Sequence, residues 1–181
     1  MPAGYTFLPQ PNEVAAAVLA KSTWAVLALT CHIELFTQAH YRQSIEPDAE
    51  LSELWKDVFL FHWKEESQHA ILDELEWKRA DAKLDAGQRE QAVTDFIELV
   101  AAVDGILQMQ AGADADYFLR VCGRQLNGPE AQRLRDTMLR AYRWQYIGSG
   151  AQDVRFQKIL GGMISEDQMR RVGAELAPLL S

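Results

Sequence analysis

Apolar residues recur at helical spacing over most of the chain, and the prolines fall between these stretches. The pattern predicts a helix from Asn12, a good N-cap, to about Gln43, and a second from about Ala49 to Leu84. It predicts a third from about Arg89 to Gln125 and a fourth from 130 to 160. Ser165, with a glutamine three residues later, is typical of the start of a short fifth helix.

No segment alternates between apolar and polar residues with the period of two that a strand requires, so the sequence predicts an all-α fold. Four helices of about 30 residues, each roughly 45 Å long, are best buried as an antiparallel four-helix bundle. The fifth helix is then expected to pack across one end. We interpret residues 1–181 as one domain, with residues 1–11 as an extended N-terminal arm.

Ionisable side chains interrupt one stripe of the second helix. At about 100° per residue, four of them share a narrow strip: His62, Glu66, His69 and Asp73. Apolar side chains continue or flank the strip in both directions: Trp55, Val58, Phe59 and Trp77. A solvated face would not be bracketed by tryptophans, so the pattern predicts that the stripe faces the core. Buried ionisable groups then need partners or a bound ion.

A carboxylate and an imidazole three residues apart on a helix can reach the same metal ion, as Glu66 and His69 would. Taken alone, the pair favours a buried Glu and His that are hydrogen-bonded to each other over a metal site. Glu34 interrupts a partly apolar stripe on the first helix, about a dozen residues before the turn at Pro47. Antiparallel packing would bring it to within about a turn of Glu66. Two carboxylates and one imidazole could then converge.

The stretch "WKEESQHAIL" at 63–72 resembles the corresponding helix of the acyl-carrier-protein desaturases and arylamine N-oxygenases in the ferritin-like di-iron carboxylate superfamily. The resemblance implies a ferritin-like bundle with Glu34, Glu66 and His69 as ligands. It also implies oxidation or oxygenation of a small organic substrate by O2. The second half departs from the family pattern, because "YRWQYIGSGA" at 142–151 places Ile147 and Gly150 where a second Glu and His would stand.

The first interpretation is one iron or manganese ion on Glu34, Glu66 and His69, completed by Asp114 or Asp116, by His62 or by water. In that site Asp73 would accept a hydrogen bond from His69 and orient it. Gln38 lies on the same stripe as Glu34 and would also belong to the surroundings of the ion.

Two other interpretations remain open. A second metal ion could bind if carboxylates come from the second half of the chain, from Asp104, Asp114, Asp116 or Asp153. Alternatively, the site is vestigial, with His62 paired to Glu66 and Glu65 to His69. The competing class of function is therefore a non-catalytic helical bundle with a structural or ligand-binding role, as a monomer or a homodimer.

Composition narrows the classes of partner. The formal net charge is −8 and the pI is about 5.0, which argues against nucleic acid. Two cysteines, Cys31 and Cys122, are too few for a disulfide framework, and we expect both to be reduced and buried. The apolar N-terminal stretch is interrupted by Lys21, so it is expected to be neither a signal peptide nor a membrane span. These features together favour the cytoplasm.

Two features of the fourth helix also carry predictions. Gly148 and Gly150 are not expected to cradle a phosphate, because no strand precedes them. We expect them to let that helix approach a neighbour closely; the alternative is that they clear space beside the site for a ligand. Tyr142 and Trp144 are candidates for the lining of a substrate pocket.

Overall fold

The structure of the protein, a computed structural model, describes residues 2–180, and all regular structure in that range is helical, as predicted. The α-helices are α1 (Pro11–Leu19), α2 (Thr23–His40), α3 (Glu53–Asp81), α4 (Ala86–Val121), α5 (Gly128–Arg143), α6 (Ser149–Ala151), α7 (Val154–Gly161) and α8 (Glu166–Leu176). One π-helical turn, Tyr41–Ile45, follows α2 and another, Trp144–Gly148, follows α5; a 3-10 turn, Ala177–Leu179, follows α8. Of the predicted arm, residues 2–10 precede α1, and Met1 lies outside the described residues. No described helix has the length and apolar content that crossing a bilayer requires.

The prediction of one continuous first helix is wrong, because the chain breaks between α1 and α2. Ser22 has an extended backbone, and its N–H donates to Oδ2 of Asp95 on α4 at 3.0 Å. The neighbouring Lys21 ammonium contacts Glu98 and lies 4.0 Å from Asp95. Acidic side chains of α4 therefore fix the break through contacts that are distant in sequence.

The predicted fourth helix is also interrupted, by the π-helical turn after α5 and by a break between α6 and α7. Asp153 stands at the second break with an extended backbone. Its carboxylate accepts hydrogen bonds from the backbone N–H groups of Arg155 and Phe156 at 2.8 and 3.1 Å, so it acts as the N-cap of α7.

Reciprocal caps begin three of the helices. In each cap, the side chain of either residue accepts a hydrogen bond from the backbone N–H of the other. The pairs are Asp85 and Gln88, Asn127 and Glu130, and Ser165 and Gln168. The predicted start of the short C-terminal helix at Ser165 is confirmed.

Four aromatic side chains from four helices form the centre of the core. Trp24 of α2 packs edge-on against Trp77 of α3 and Phe96 of α4, with ring centroids 5.1 and 6.4 Å apart. Phe156 of α7 stacks on Trp77 at 5.7 Å. Because both tryptophans are almost fully buried, this cluster fixes the rotation of α3 about its axis.

Asp81, the last residue of α3, joins three helices at one end of the molecule. Its carboxylate accepts from Trp24 Nε1 of α2 at 3.0 Å and from Arg89 of α4 at 2.8 and 3.1 Å. Arg89 also donates to the Asp81 backbone carbonyl at 3.1 Å. These bonds hold α3 in register along α2 and α4.

Helix α2 lies at the centre of the fold, in contact with α3, α4 and the segment that follows α5. Helix α3 packs mainly on α2, and its buried residues are Ala70 and Trp77. The predicted core-facing stripe is only partly correct, since Trp55 and Val58 are 50% and 56% exposed. The periodicity of the sequence identifies a stripe but not the direction in which it faces. Because Trp77 is buried in the core, the part of α3 that carries Trp55 and Val58 faces outwards.

Both cysteines are free thiols, in agreement with the prediction that they are reduced. Cys31 is fully buried on α2, whereas Cys122, at the end of α4, is only partly buried. The expectation of burial was therefore correct for the first cysteine alone.

Candidate metal site

Glu34, Glu66 and His69 come together between α2 and α3. Each offers one ligand atom, and the three atoms lie within 4.8 Å of one another. The site forms because α3 returns along α2 after the turn that contains Pro47, so that Glu34 meets Glu66. Both glutamates are partly buried, whereas the His69 side chain is half exposed. The cluster therefore opens to solvent on its histidine side.

The two carboxyl groups shift each other's pKa in opposite directions. Burial, the hydrogen bond with Glu66 and the charges of Glu66 and Asp73 raise the pKa of Glu34 to about 8. The hydrogen bond from Glu34 holds the pKa of Glu66 low, with help from both neighbouring histidines and against the effect of burial. At neutral pH a neutral Glu34 therefore donates to an ionised Glu66. A bound cation would displace this proton.

Glu66 is also bonded to two imidazoles of its own helix. His62 Nε2 lies 2.6 Å from Oε1 and His69 Nδ1 lies 2.8 Å from Oε2. The first contact is the pair expected of a vestigial site. The second differs from that expectation, because His69 bonds to Glu66 and not to Glu65. His62 is adjacent to the cluster but outside the group of three converging ligand atoms.

Asp73 and Gln38 lie near the cluster without the predicted contacts to a ligand. Asp73 makes no hydrogen bond to His69 in the described structure, and it acts on the pKa of Glu34 through its charge. Gln38 is buried, and its Oε1 accepts a 3.5 Å hydrogen bond from Ser67, next to Glu66. Among the described residues the Gln38 amide Nε2 has no hydrogen-bond partner.

The acids of the second half bind protein groups. Asp104 pairs with Arg143 at 2.6 Å, Asp114 accepts from Tyr142 and Gln110, and Asp153 caps α7. Asp116, predicted as a fourth ligand, is exposed on α4 and accepts from Arg135 of α5 at 2.6 Å. The structure thus does not bring Asp116 to the cluster, because its carboxylate faces α5.

The segment that would carry a second half-site packs against α2 instead. Ile147 is buried, and its carbonyl accepts a 3.0 Å hydrogen bond from His32 Nε2. Gly150 lies against the same imidazole, as the glycine prediction anticipated. Burial lowers the pKa of His32, so the side chain is neutral and structural.

A mostly apolar cavity of about 400 Å³ lies beside His32, where α8 packs over α4 and α7. On α2, His32 points about 160° away from Glu34, so the cavity is on the other side of that helix. It therefore offers no space for a substrate at the cluster. Neither Tyr142 nor Trp144, proposed from the sequence as pocket residues, lines it. Sequence reasoning missed this cavity because it depends on where α8 lies.

No protein family model, curated protein or solved structure matches the chain.

Proposed function

We propose that the protein binds one divalent metal ion, iron or manganese, between α2 and α3 through Glu34, Glu66 and His69. The observation that supports this function is the convergence of three ligand atoms within 4.8 Å. Two carboxylates and an imidazole are a donor set that suits these metals. The ferritin-like resemblance of "WKEESQHAIL" favours the same assignment, and with it a ferritin-like bundle.

The residues around the ion would have separate tasks. The two glutamates would balance its charge, and release of the Glu34 proton would accompany binding. His62, already bonded to Glu66, would hold that carboxylate in position or bind as a fourth ligand. The half-exposed side at His69 leaves access for a small organic substrate. When bound, iron or manganese with open coordination positions supplies O2-dependent oxidation, the activity implied by the resemblance.

A second candidate is a non-catalytic helical protein with a vestigial site. The specific observation in its favour is that His62, Glu34 and His69 satisfy the Glu66 carboxylate without a metal. The two candidates differ in whether the native protein takes up metal.

Elemental analysis of protein expressed with iron and manganese tests the proposal. We expect one ion per chain, and its loss in Glu66→Gln and His69→Ala. The matched control is Glu65→Gln, since Glu65 is the adjacent residue of the same helix, is exposed and contributes no atom to the cluster. This control is expected to keep the ion.

Addition of Fe(II) or Mn(II) to chelator-treated protein provides a second readout. Binding to the native state alone raises the melting temperature, by an amount that grows with metal concentration. Wild-type protein that neither retains an ion nor shifts its melting temperature would favour the vestigial site and exclude the metal-dependent function.

A further inference from the structure

The side of α3 that faces away from α2 carries apolar residues that the fold leaves uncovered. Leu54, Val58 and Phe61 lie at one end, Leu72 and Leu75 at the other, and each is between 56% and 76% exposed. We call the line through these residues and the two polar residues at its centre, Glu65 and Gln68, the outer seam. The seam is roughly 33 Å long and about 10 Å wide. An exposed apolar patch of a few hundred Å² on a single chain is often functional.

The seam has the spacing of a coiled-coil interface. Val58, Glu65 and Leu72 are seven residues apart, as are Leu54, Phe61, Gln68 and Leu75, and the two sets alternate by three and four. These are the a and d positions of a heptad repeat. The partner implied by such a repeat is another helix.

The opposite side of α3 shows why this repeat is free to bind. Trp63, Ala70 and Trp77 are also seven residues apart, and they face α2 and the core, where the last two are buried. Helix α3 thus carries residues at heptad spacing on two opposite sides. The fold covers the side with Trp63, Ala70 and Trp77 and leaves the outer seam uncovered. The outer seam runs from Leu54 to Leu75, and none of residues 2–180 covers it.

The order of residues in the seam identifies the partner. Reversing the direction of the seam exchanges Val58 and Phe61 with Leu75 and Leu72 and returns the polar pair to the centre, while Leu54 extends beyond the symmetric part. An antiparallel copy would place Val58 opposite Leu75 and Phe61 opposite Leu72. Each apolar layer occurs twice by symmetry, as an isologous interface requires.

The centre of the seam supplies the register. In this arrangement Glu65 faces Gln68 of the second copy, where the carboxylate can accept a hydrogen bond from the amide. Both side chains are exposed, and the Glu65 carboxylate forms no hydrogen bond or ion pair with the described residues. A polar layer inside an apolar seam fixes register and orientation at some cost in stability.

We propose that a second copy of this chain covers the outer seam, and that the protein is a homodimer joined by antiparallel pairing of the two α3 helices. His62 and His69 occupy the position that flanks the seam on one side, so the second copy would border the open side of the candidate metal site without closing it. This consequence rests on the proposed metal site, whereas the dimer itself does not.

The test is the molecular mass of chelator-treated protein, measured by light scattering after size exclusion. We expect a dimer in the wild type. Leu72→Glu places an unpaired charge in the seam twice per dimer and should raise the dissociation constant by about a hundredfold or more. Met109→Glu is the matched control, because Met109 lies mid-helix on α4 and is 48% exposed. It should leave the dimer intact, and circular dichroism checks that both variants fold.

Two substitutions at the centre test the register. Gln68→Glu brings like charges together opposite Glu65 and should weaken the dimer by about tenfold, whereas Gln68→Lys should strengthen it. A monomeric wild type overturns the proposal and assigns the seam to another partner. A dimer that survives Leu72→Glu also overturns it, since the interface then lies elsewhere. Equal effects of both Gln68 substitutions overturn the antiparallel register. Because chelator is present, none of these outcomes depends on the metal site.

Discussion

Gly150 lies so close to His32 that a side chain at this position would touch the imidazole. A Cβ added to Gly150 would be 2.6 Å from His32 Nε2 and 2.8 Å from Cδ2. The ring cannot easily move, because its Nε2 donates to the Ile147 carbonyl and its faces and edges meet Phe36 and Phe156. The absence of a Cβ therefore allows the segment after α5 to pack on α2.

Gly150→Ala should destabilise the protein by about 2 kcal/mol, because the methyl group overpacks a rigid contact. Urea unfolding measures the change in the free energy of unfolding. The matched control is Gly105→Ala on α4, where the added Cβ meets nothing within 4 Å. This change should stabilise the protein by about 1 kcal/mol through helix propensity. Equal effects at the two glycines would contradict the contact.

Local sequence signals predicted much of the fold. The all-α class and the cap at Ser165 followed from spacing and capping chemistry. The break at Ser22 could not be predicted, since the acceptor of its N–H is Asp95, more than seventy residues away.

The candidate site was predicted in its centre and not in its surroundings. Glu34, Glu66 and His69 could be placed together because one short turn connects their two helices. Asp116 could not, because its orientation depends on how α5 packs on α4 and offers Arg135. The direction of the α3 stripe likewise depends on the packing of Trp77 against aromatic residues of two other helices.

Asp104→Asn should destabilise the protein by about 3 kcal/mol, because it leaves Arg143 without its charged partner in a partly buried setting. Burial opposes ionisation of Asp104, but hydrogen bonds from Arg143 and Gln108 outweigh it and lower its pKa. Its contribution to stability is thus present above the pKa of the unfolded chain and is lost as the pH falls through the folded value. Asp116 and Arg135 form the equivalent exposed pair between α4 and α5. Asp116→Asn should therefore lower the free energy of unfolding by only about 0.5 kcal/mol. Chemical denaturation of both variants distinguishes the two cases.

The two cysteines should differ in reactivity. Burial, with a smaller effect from the charge of Asp73, raises the pKa of Cys31 to about 12, so its thiolate is scarce at neutral pH. Cys122 lies partly exposed at the end of α4. A thiol reagent added to native protein should therefore label the Cys122 thiol quickly and the Cys31 thiol slowly. Cys122→Ser should abolish the fast phase. Fast labelling that persists in this variant would show that Cys31 is accessible.

The contribution of Glu34 to the stability of the metal-free protein should fall as the pH rises from about 5 to about 8. The pKa of Glu34 is raised to about 8 in the folded state by burial and by Glu66, while the ordinary value is 4.5. Between these values the folded chain binds the proton and the unfolded chain does not, so the free energy of unfolding decreases with pH. Below the lower value the contribution is constant, and above the higher one it is fully lost. Glu34→Gln cannot titrate, so the difference between wild type and variant should change across this interval. Denaturation at several pH values in chelator measures that difference, and a difference independent of pH would show that Glu34 ionises normally in the fold.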